Sequence, residues 1–159
     1  MGSFGLRLVC GNPADTTLSL VILIYSGVFD RFPNLKLCTF HGGGFFPYHL
    51  SRFDREFFTG KQATRRADRP NSPRCALAPS AYLKNLYFDT LVHDVGTLEF
   101  LRNKVGADHL MVGSDFPYIL GDWQCVDKVD ALACSETDKQ AILEGNARKL
   151  LKIRALGKS

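Results

Sequence analysis

Leu35-Lys36-Leu37-Cys38-Thr39-Phe40-His41-Gly42-Gly43-Gly44 decides the fold. The apolar part is one short strand in length, bounded by Pro33-Asn34 on one side and by a glycine triplet on the other, and it delivers a histidine at its carboxyl end. Two later stretches repeat the arrangement: Leu86-Tyr87-Phe88-Asp89, and Leu110-Met111-Val112-Gly113 followed by Ser114-Asp115-Phe116-Pro117. Between them lies helical periodicity. From Phe45 to about Phe58 it is carried by Leu50, Phe53 and Phe57; after Asp94, a predicted cap, it is carried by Val95, Leu98, Leu101 and Val105, with Gly106 as the stop. Strands alternating with helices at this spacing predict parallel βαβ units, hence an α/β fold with polar groups collected at the carboxyl ends of the strands.

The flanks extend the pattern. Asn12-Pro13 reads as an N-cap with proline at the first helical position, and the helix is expected to run towards Phe29 until Pro33 closes it off. A polar, arginine-bearing loop with Pro70, Pro73 and Pro79 follows the second helix. After the third strand come a polar connection containing Trp123, a helix capped by Ser135 with Asp138 three residues on, a stop at Gly145, and a last helix from Asn146 with Leu150 and Leu151. No repeat interrupts residues 1–159, which read as one domain.

Composition narrows the function classes. With 45% hydrophobic and 23% charged residues, the chain is neither disordered nor a coiled coil. The apolar run Leu18 to Tyr25 is far shorter than the roughly 20 residues that span a bilayer, so no membrane segment is expected. Asn12, Pro13 and Asp15 argue against a secretory leader. Cys10, Cys38, Cys75, Cys125 and Cys134 are an odd count without a close pair, which fits a reducing, cytoplasmic setting better than a disulfide framework. The net charge of +4 is matched by the basic stretch Lys61 to Arg74. That stretch lacks interleaved aromatic residues, so a solvated insertion is expected there rather than a nucleic-acid surface.

His41 and Asp115 each follow the end of a predicted strand, where α/β proteins collect reactive groups. The glycines after His41 keep side chains out of the turn and let backbone or a ligand approach. His93-Asp94 stands near the end of the second strand, either touching a substrate or only capping and bonding backbone. Phe116 and Trp123 either line a pocket for a planar molecule or pack. His49 and His109 have no functional context.

Val28-Phe29-Asp30-Arg31-Phe32-Pro33-Asn34-Leu35-Lys36 and His41-Gly42-Gly43-Gly44, then Tyr87-Phe88-Asp89-Thr90, Leu91-Val92-His93-Asp94 and Gly113-Ser114-Asp115-Phe116-Pro117, occur in one order across most of the chain. In that order they resemble the amidohydrolase-related decarboxylases. The resemblance implies a (β/α)8 TIM barrel, of which 159 residues would supply the carboxyl-terminal part, about three βα units from strand six to strand eight. It implies a divalent metal, usually zinc, held by a His-x-His pair, a further His and an Asp. Asp115 matches that Asp and is the implied metal ligand; His41 matches the base that activates water or moves a proton. No His-x-His occurs, so on this reading the chain starts beyond the family's metal-binding first strand and Asp115 is the only ligand identified.

The resemblance also places Arg52, on the helix after His41, at a substrate carboxylate reached across a homodimer interface; an exposed helix arginine explains the residue as well. The expected activity is non-oxidative decarboxylation of a small unsaturated or aromatic carboxylic acid, with Phe116 contributing to substrate binding. Hydrolysis on the same metal and histidine is the alternative enzyme class. A different alternative is an inactive fragment or partner that docks on full-length subunits. Because three parallel strands do not close a barrel, the first and last are expected to present unpaired edges.

Overall fold

The computed structural model describes residues 4–63 and 72–153, the side chains of residues 61–63 excepted. Most of the basic stretch Lys61 to Arg74 therefore lies outside the described residues. The chain divides into two compact units, Met1–Tyr87 and Phe88–Ser159.

The first unit opens on a π turn, Arg7–Gly11, that runs without a break into α1 (Asn12–Tyr25). Asn12 is thus not an N-cap: its φ of −59° and ψ of −47° are helical, and its N–H donates to the Arg7 carbonyl. The join makes the helix longer than the apolar run alone. Arg7–Tyr25 is a helix of 19 residues, long and apolar enough to cross a membrane by length and composition only. Within its unit α1 buries Thr16, Thr17, Leu20 and Ile24. It ends before Phe29 because Gly27 turns left-handed at φ 75°, and α2 (Val28–Arg31) starts afresh.

Asp30 of α2 ties down the segment that follows the undescribed residues. Its Oδ1 accepts from the Tyr82 hydroxyl at 2.6 Å and its Oδ2 from the Ala76 N–H at 2.8 Å. Burial, and next the bond to Asp30, push the Tyr82 hydroxyl up to about 12. Tyr82 and Asn85 lie in a 3₁₀ helix, Pro79–Asn85, where the prolines predict only loop. The buried Asn85 amide donates to the Pro33 and Leu35 carbonyls at 2.9 and 2.8 Å, which fixes the entry into β1 (Leu37–Thr39). Next comes α3 (Phe46–Ala63), which buries Phe46, Leu50 and Phe57, as the spacing predicts.

The turn between β1 and α3 is pressed against α1. Thr17 Oγ1 accepts from the Phe45 N–H at 2.7 Å and donates to the Pro13 carbonyl at 2.8 Å. Gly44 sits at φ 64°, and a Cβ there would run into the Pro13 carbonyl and come within 2.8 Å of Thr17 Oγ1. Only glycine satisfies both the backbone angle and the space.

β2 (Leu86–Asp89) crosses the unit boundary. Thr39 Oγ1 donates to the Tyr87 carbonyl at 3.1 Å in the first unit, and in the second Phe88 and Asp89 pair in parallel with Leu110 and Met111 of β3 (Leu110–Met111). Between β2 and β3 runs α4 (Val95–Val105), capped as predicted: Asp94 Oδ2 accepts from the Thr97 N–H at 2.7 Å and from its hydroxyl at 2.9 Å, and these bonds hold the Asp94 carboxyl below its usual range.

Past β3, α5 (Cys125–Asp130) occupies part of the predicted polar connection, and α6 (Glu136–Gln140) carries the predicted Ser135 cap, whose Oγ accepts from the Asp138 N–H at 3.1 Å. Gly145 does not end this helix. A π turn, Ala141–Gly145, carries it on into α7 (Asn146–Leu151), with the Asn146 N–H reaching back to the Ala141 carbonyl. That shift releases the Ile142 carbonyl, which accepts from the Val112 N–H at 3.0 Å. The strand therefore stops at Met111 instead of continuing to Gly113. The buried Asn146 side chain adds bonds to the Ala107 and Leu110 carbonyls at 2.8 and 2.7 Å. Helices thus meet backbone groups of β3 that were expected to be bare.

Between β3 and α5 lies Asp122, only 4% exposed. Lys128 Nζ donates to its Oδ2 at 2.6 Å and the Gln124 N–H to its Oδ1 at 3.0 Å. Burial pushes this carboxyl up, but the Lys128 and Gln124 bonds, with the charges of Lys128 and His93, outweigh it and hold the group below its usual value.

Two outcomes follow from this packing. Gly44→Ala should destabilise the chain by about 3 kcal/mol, combining a left-handed backbone penalty with overpacking, and chemical denaturation reads this directly; a loss under about 1 kcal/mol would show that α1 does not press on the turn. Because the folded value of Asp122 lies below its unfolded value, its contribution is present above about pH 4 and lost as acid takes the pH through the lowered value. Unfolding midpoints measured down to about pH 2 should fall less steeply in Asp122→Asn than in the parent chain; equal slopes would refute the sign.

Candidate functional site

Each of the three strands is followed closely by a residue with an ionisable, metal-capable side chain in left-handed conformation: His41 at φ 56°, His93 at φ 61° and Asp115 at φ 57°. Among the described residues the only other non-glycine residues with positive φ are Phe4 and Lys152. Left-handed backbone costs a non-glycine residue roughly 1 kcal/mol or more and persists where the surroundings enforce it, a condition met most often at functional sites.

In the first unit, His41 opens a 3₁₀ turn, His41–Gly43, immediately beyond β1. The imidazole is half-buried and meets the Phe40 ring edge-on at 5.0 Å between centroids. The turn keeps its course because His41 to Gly44 all have positive φ and Gly44 is clamped by α1. Arg52 projects from α3 as an exposed side chain. His49, also exposed, makes edge contacts with Tyr48 and Phe53, an aromatic packing role.

In the second unit the ends of β2 and β3 are held close. The Gly113 N–H donates to buried Thr90 Oγ1 at 3.2 Å, and a Cβ on Gly113 would lie 2.9 Å from that of Asp89. Asp115 follows, half-buried, with its carbonyl accepting from the Tyr118 N–H at 2.8 Å. Phe116 is 70% and Trp123 68% exposed, and their rings meet edge to face at 5.6 Å. An exposed aromatic pair beside Asp115 offers a flat apolar wall. His93 is exposed, and its neighbour Asp94 is committed to capping α4. His109 precedes β3 and so lies at the wrong end of the strand for such a site.

The first unit therefore carries an imidazole and a guanidinium, suited to moving a proton and binding a carboxylate. The second carries a carboxylate, an imidazole and two aromatic rings. Among the described residues no group of three or more His, Cys, Asp or Glu side chains is placed to hold a metal ion. Asp115 alone does not meet the three protein ligands of a catalytic zinc. The sequence reading missed Asp122 and Lys128. Their spacing matches no short motif, and the pair exists only once α5 has formed.

An amidohydrolase family model matches residues 2–153. The chain is 35% identical over 158 residues to the 2-amino-3-carboxymuconate-6-semialdehyde decarboxylase of Dictyostelium discoideum, a match that covers 95% of this chain and 40% of that protein. Its fold superposes on 5-carboxyvanillate decarboxylase from Sphingomonas paucimobilis with a TM-score of 0.81 at 27% identity, over 96% of this chain and 44% of that one. A dihydroxybenzoic acid decarboxylase from a Polaromonas species, solved with bound manganese and 2-nitroresorcinol, gives a TM-score of 0.73 at 27% identity, over 90% and 42%. The chain thus spans less than half the length of these relatives. With motifs, family match and superposition in agreement, the chain belongs to the amidohydrolase-related family, as the carboxyl-terminal part of its (β/α)8 barrel.

Proposed function

We propose that this chain supplies the proton-transfer and carboxylate-binding residues of a non-oxidative decarboxylase acting on a small unsaturated carboxylic acid of the aminocarboxymuconate semialdehyde type. The observation that carries the reading is the left-handed placement of His41 just beyond the carboxyl end of β1 and of Asp115 just beyond that of β3. Decarboxylation breaks the bond between the carboxyl carbon and the chain carbon, carbon dioxide leaves, and the electron pair left behind takes a proton. His41 in its protonated form is the donor of that proton. Arg52 holds a second carboxylate through two parallel N–H bonds, and reaches it from the other subunit of a homodimer. Phe116 lies against the planar carbon skeleton.

Zinc is the ion we assign to the complete family site, with Asp115 as one ligand. The described residues supply no set that holds it, so the steps above rest on His41, Arg52 and Phe116 alone. We assign the activity to the cytoplasm, on the cysteine pattern. The absence of a ligand group among the described residues, with the exposure of Phe116, Tyr118, Ile119 and Trp123, favours one second reading: a non-catalytic partner that docks on full-length subunits.

Purified alone, the chain should bind zinc weakly and release no carbon dioxide from the semialdehyde; one tight zinc per chain with turnover would overturn the ligand assignment. Joined to the family's preceding strands, the parent should turn over, and His41→Ala should slow it by about 10² to 10⁴ with metal content kept. Asp115→Ala should lose metal and activity together. Arg52→Ala should chiefly raise KM, equivalent to about 2 kcal/mol of lost binding. An inactive joined chain that still associates with full-length subunits would favour the partner reading.

A further inference from the structure

The loop that presents Asp115 is nearly devoid of packing. Phe116 is 70%, Tyr118 67% and Ile119 87% exposed, so apolar contacts do not fix its course. What fixes it is a fold of the backbone onto itself. The Tyr118 N–H donates to the Asp115 carbonyl at 2.8 Å, the Gly121 N–H to the Tyr118 carbonyl at 2.9 Å, and the Asp122 N–H to the Ser114 carbonyl at 2.8 Å. The Phe116 N–H adds a bond to Ser114 Oγ at 3.3 Å. Gly121 is wedged at the neck: a Cβ there would stand 2.9 Å from both the Ser114 and the Tyr118 carbonyl oxygens.

The bond that closes the neck, from the Asp122 N–H to the Ser114 carbonyl, belongs to a residue whose side chain is buried. Asp122 has both carboxylate oxygens engaged, by Lys128 Nζ at 2.6 Å and by the Gln124 N–H at 3.0 Å. Lys128 stands on α5, whose next residue, Val129, is wholly buried. The path from the core to the strand end thus runs through Val129, Lys128, Asp122 and the Ser114 carbonyl, and the next residue is Asp115 in its left-handed conformation. A buried charge that loses its partner is strongly destabilised, so the pair has few ways to separate without dissolving the neck.

We propose that Asp122, held by Lys128, is the positioning residue for Asp115, setting the direction in which the Asp115 carboxylate leaves the end of β3. The inference rests on the reading of Asp115 as a functional carboxylate, but its test does not require turnover.

The test uses the whole 159-residue chain labelled with nitrogen-15, whose single tryptophan gives one indole signal beside the neck. Asp122→Asn and Lys128→Gln should each move the Asp115 and Phe116 amide signals and the Trp123 indole signal in the same direction. The double variant should move them no further, and Lys128→Arg should return them to the parent positions. Ser135→Ala, which removes only the α6 cap, should lower the thermal midpoint and leave those three signals in place. If Asp122→Asn does not fold, Lys128→Gln decides the matter alone. A lowered midpoint with the Asp115 signal unmoved would overturn the proposal, since that is the behaviour of a merely structural pair. Should the signals move while Asp115→Ala leaves decarboxylation in the joined chain untouched, positioning stands and the functional reading falls.

Discussion

Where β1 ends, four successive residues, His41 to Gly44, have positive φ, and the nearness of α1 to Gly44 leaves the chain no ordinary alternative. An extended residue in their place would carry the chain forward along the strand direction. The left-handed run instead turns it at once, sets an imidazole at the strand end, and brings the chain into α3. Asp115 meets the same requirement by other means, through backbone bonds in the loop that follows it. The proposed chemistry therefore depends on backbone conformations that two non-glycine residues adopt only under constraint. In one unit the constraint is a helix wall; in the other it is a buried ion pair.

Features that a few consecutive residues determine were legible in advance. β2 has the bounds Leu86–Asp89 that its sequence implies, and the Asp94 and Ser135 caps are made within three residues of the side chain. The positions of His41 and Asp115 beyond strand ends were equally plain. What escaped depends on distant partners. Asn12 looks like a cap, yet nothing local reports the π turn before it. Gly145 looks like a stop, but the helix widens through it because the Val112 N–H takes the carbonyl that the widening releases. Asp122 and Lys128 are unremarkable residues until burial gives their pairing its weight.

The same π turn bears on how part of a barrel copes with an open sheet. Backbone groups at the edge of a last strand invite pairing with any extended chain. Here the C-terminal helices reach them first, through a main-chain carbonyl of the π turn and the Asn146 amide. The Asn146 amide is 7% exposed with its residue and bonds two carbonyls at once, so its loss would leave acceptors unsatisfied in the interior. The second unit thus completes part of its hydrogen bonding from within.

Gly60 and the chain around Ser72 are brought together on either side of the undescribed residues. Ser72 Oγ donates to the Gly60 carbonyl at 3.5 Å, a Cβ on Gly60 would lie 2.9 Å from Pro73 Cδ, and the Arg74 N–H bonds the Tyr25 carbonyl at 2.7 Å. The two anchor points are set by α3 and α1, not by the residues that join them. The closure is therefore held by contacts made outside the residues it joins, so a side chain added at Gly60 would push Pro73 away from the end of α3 and loosen it.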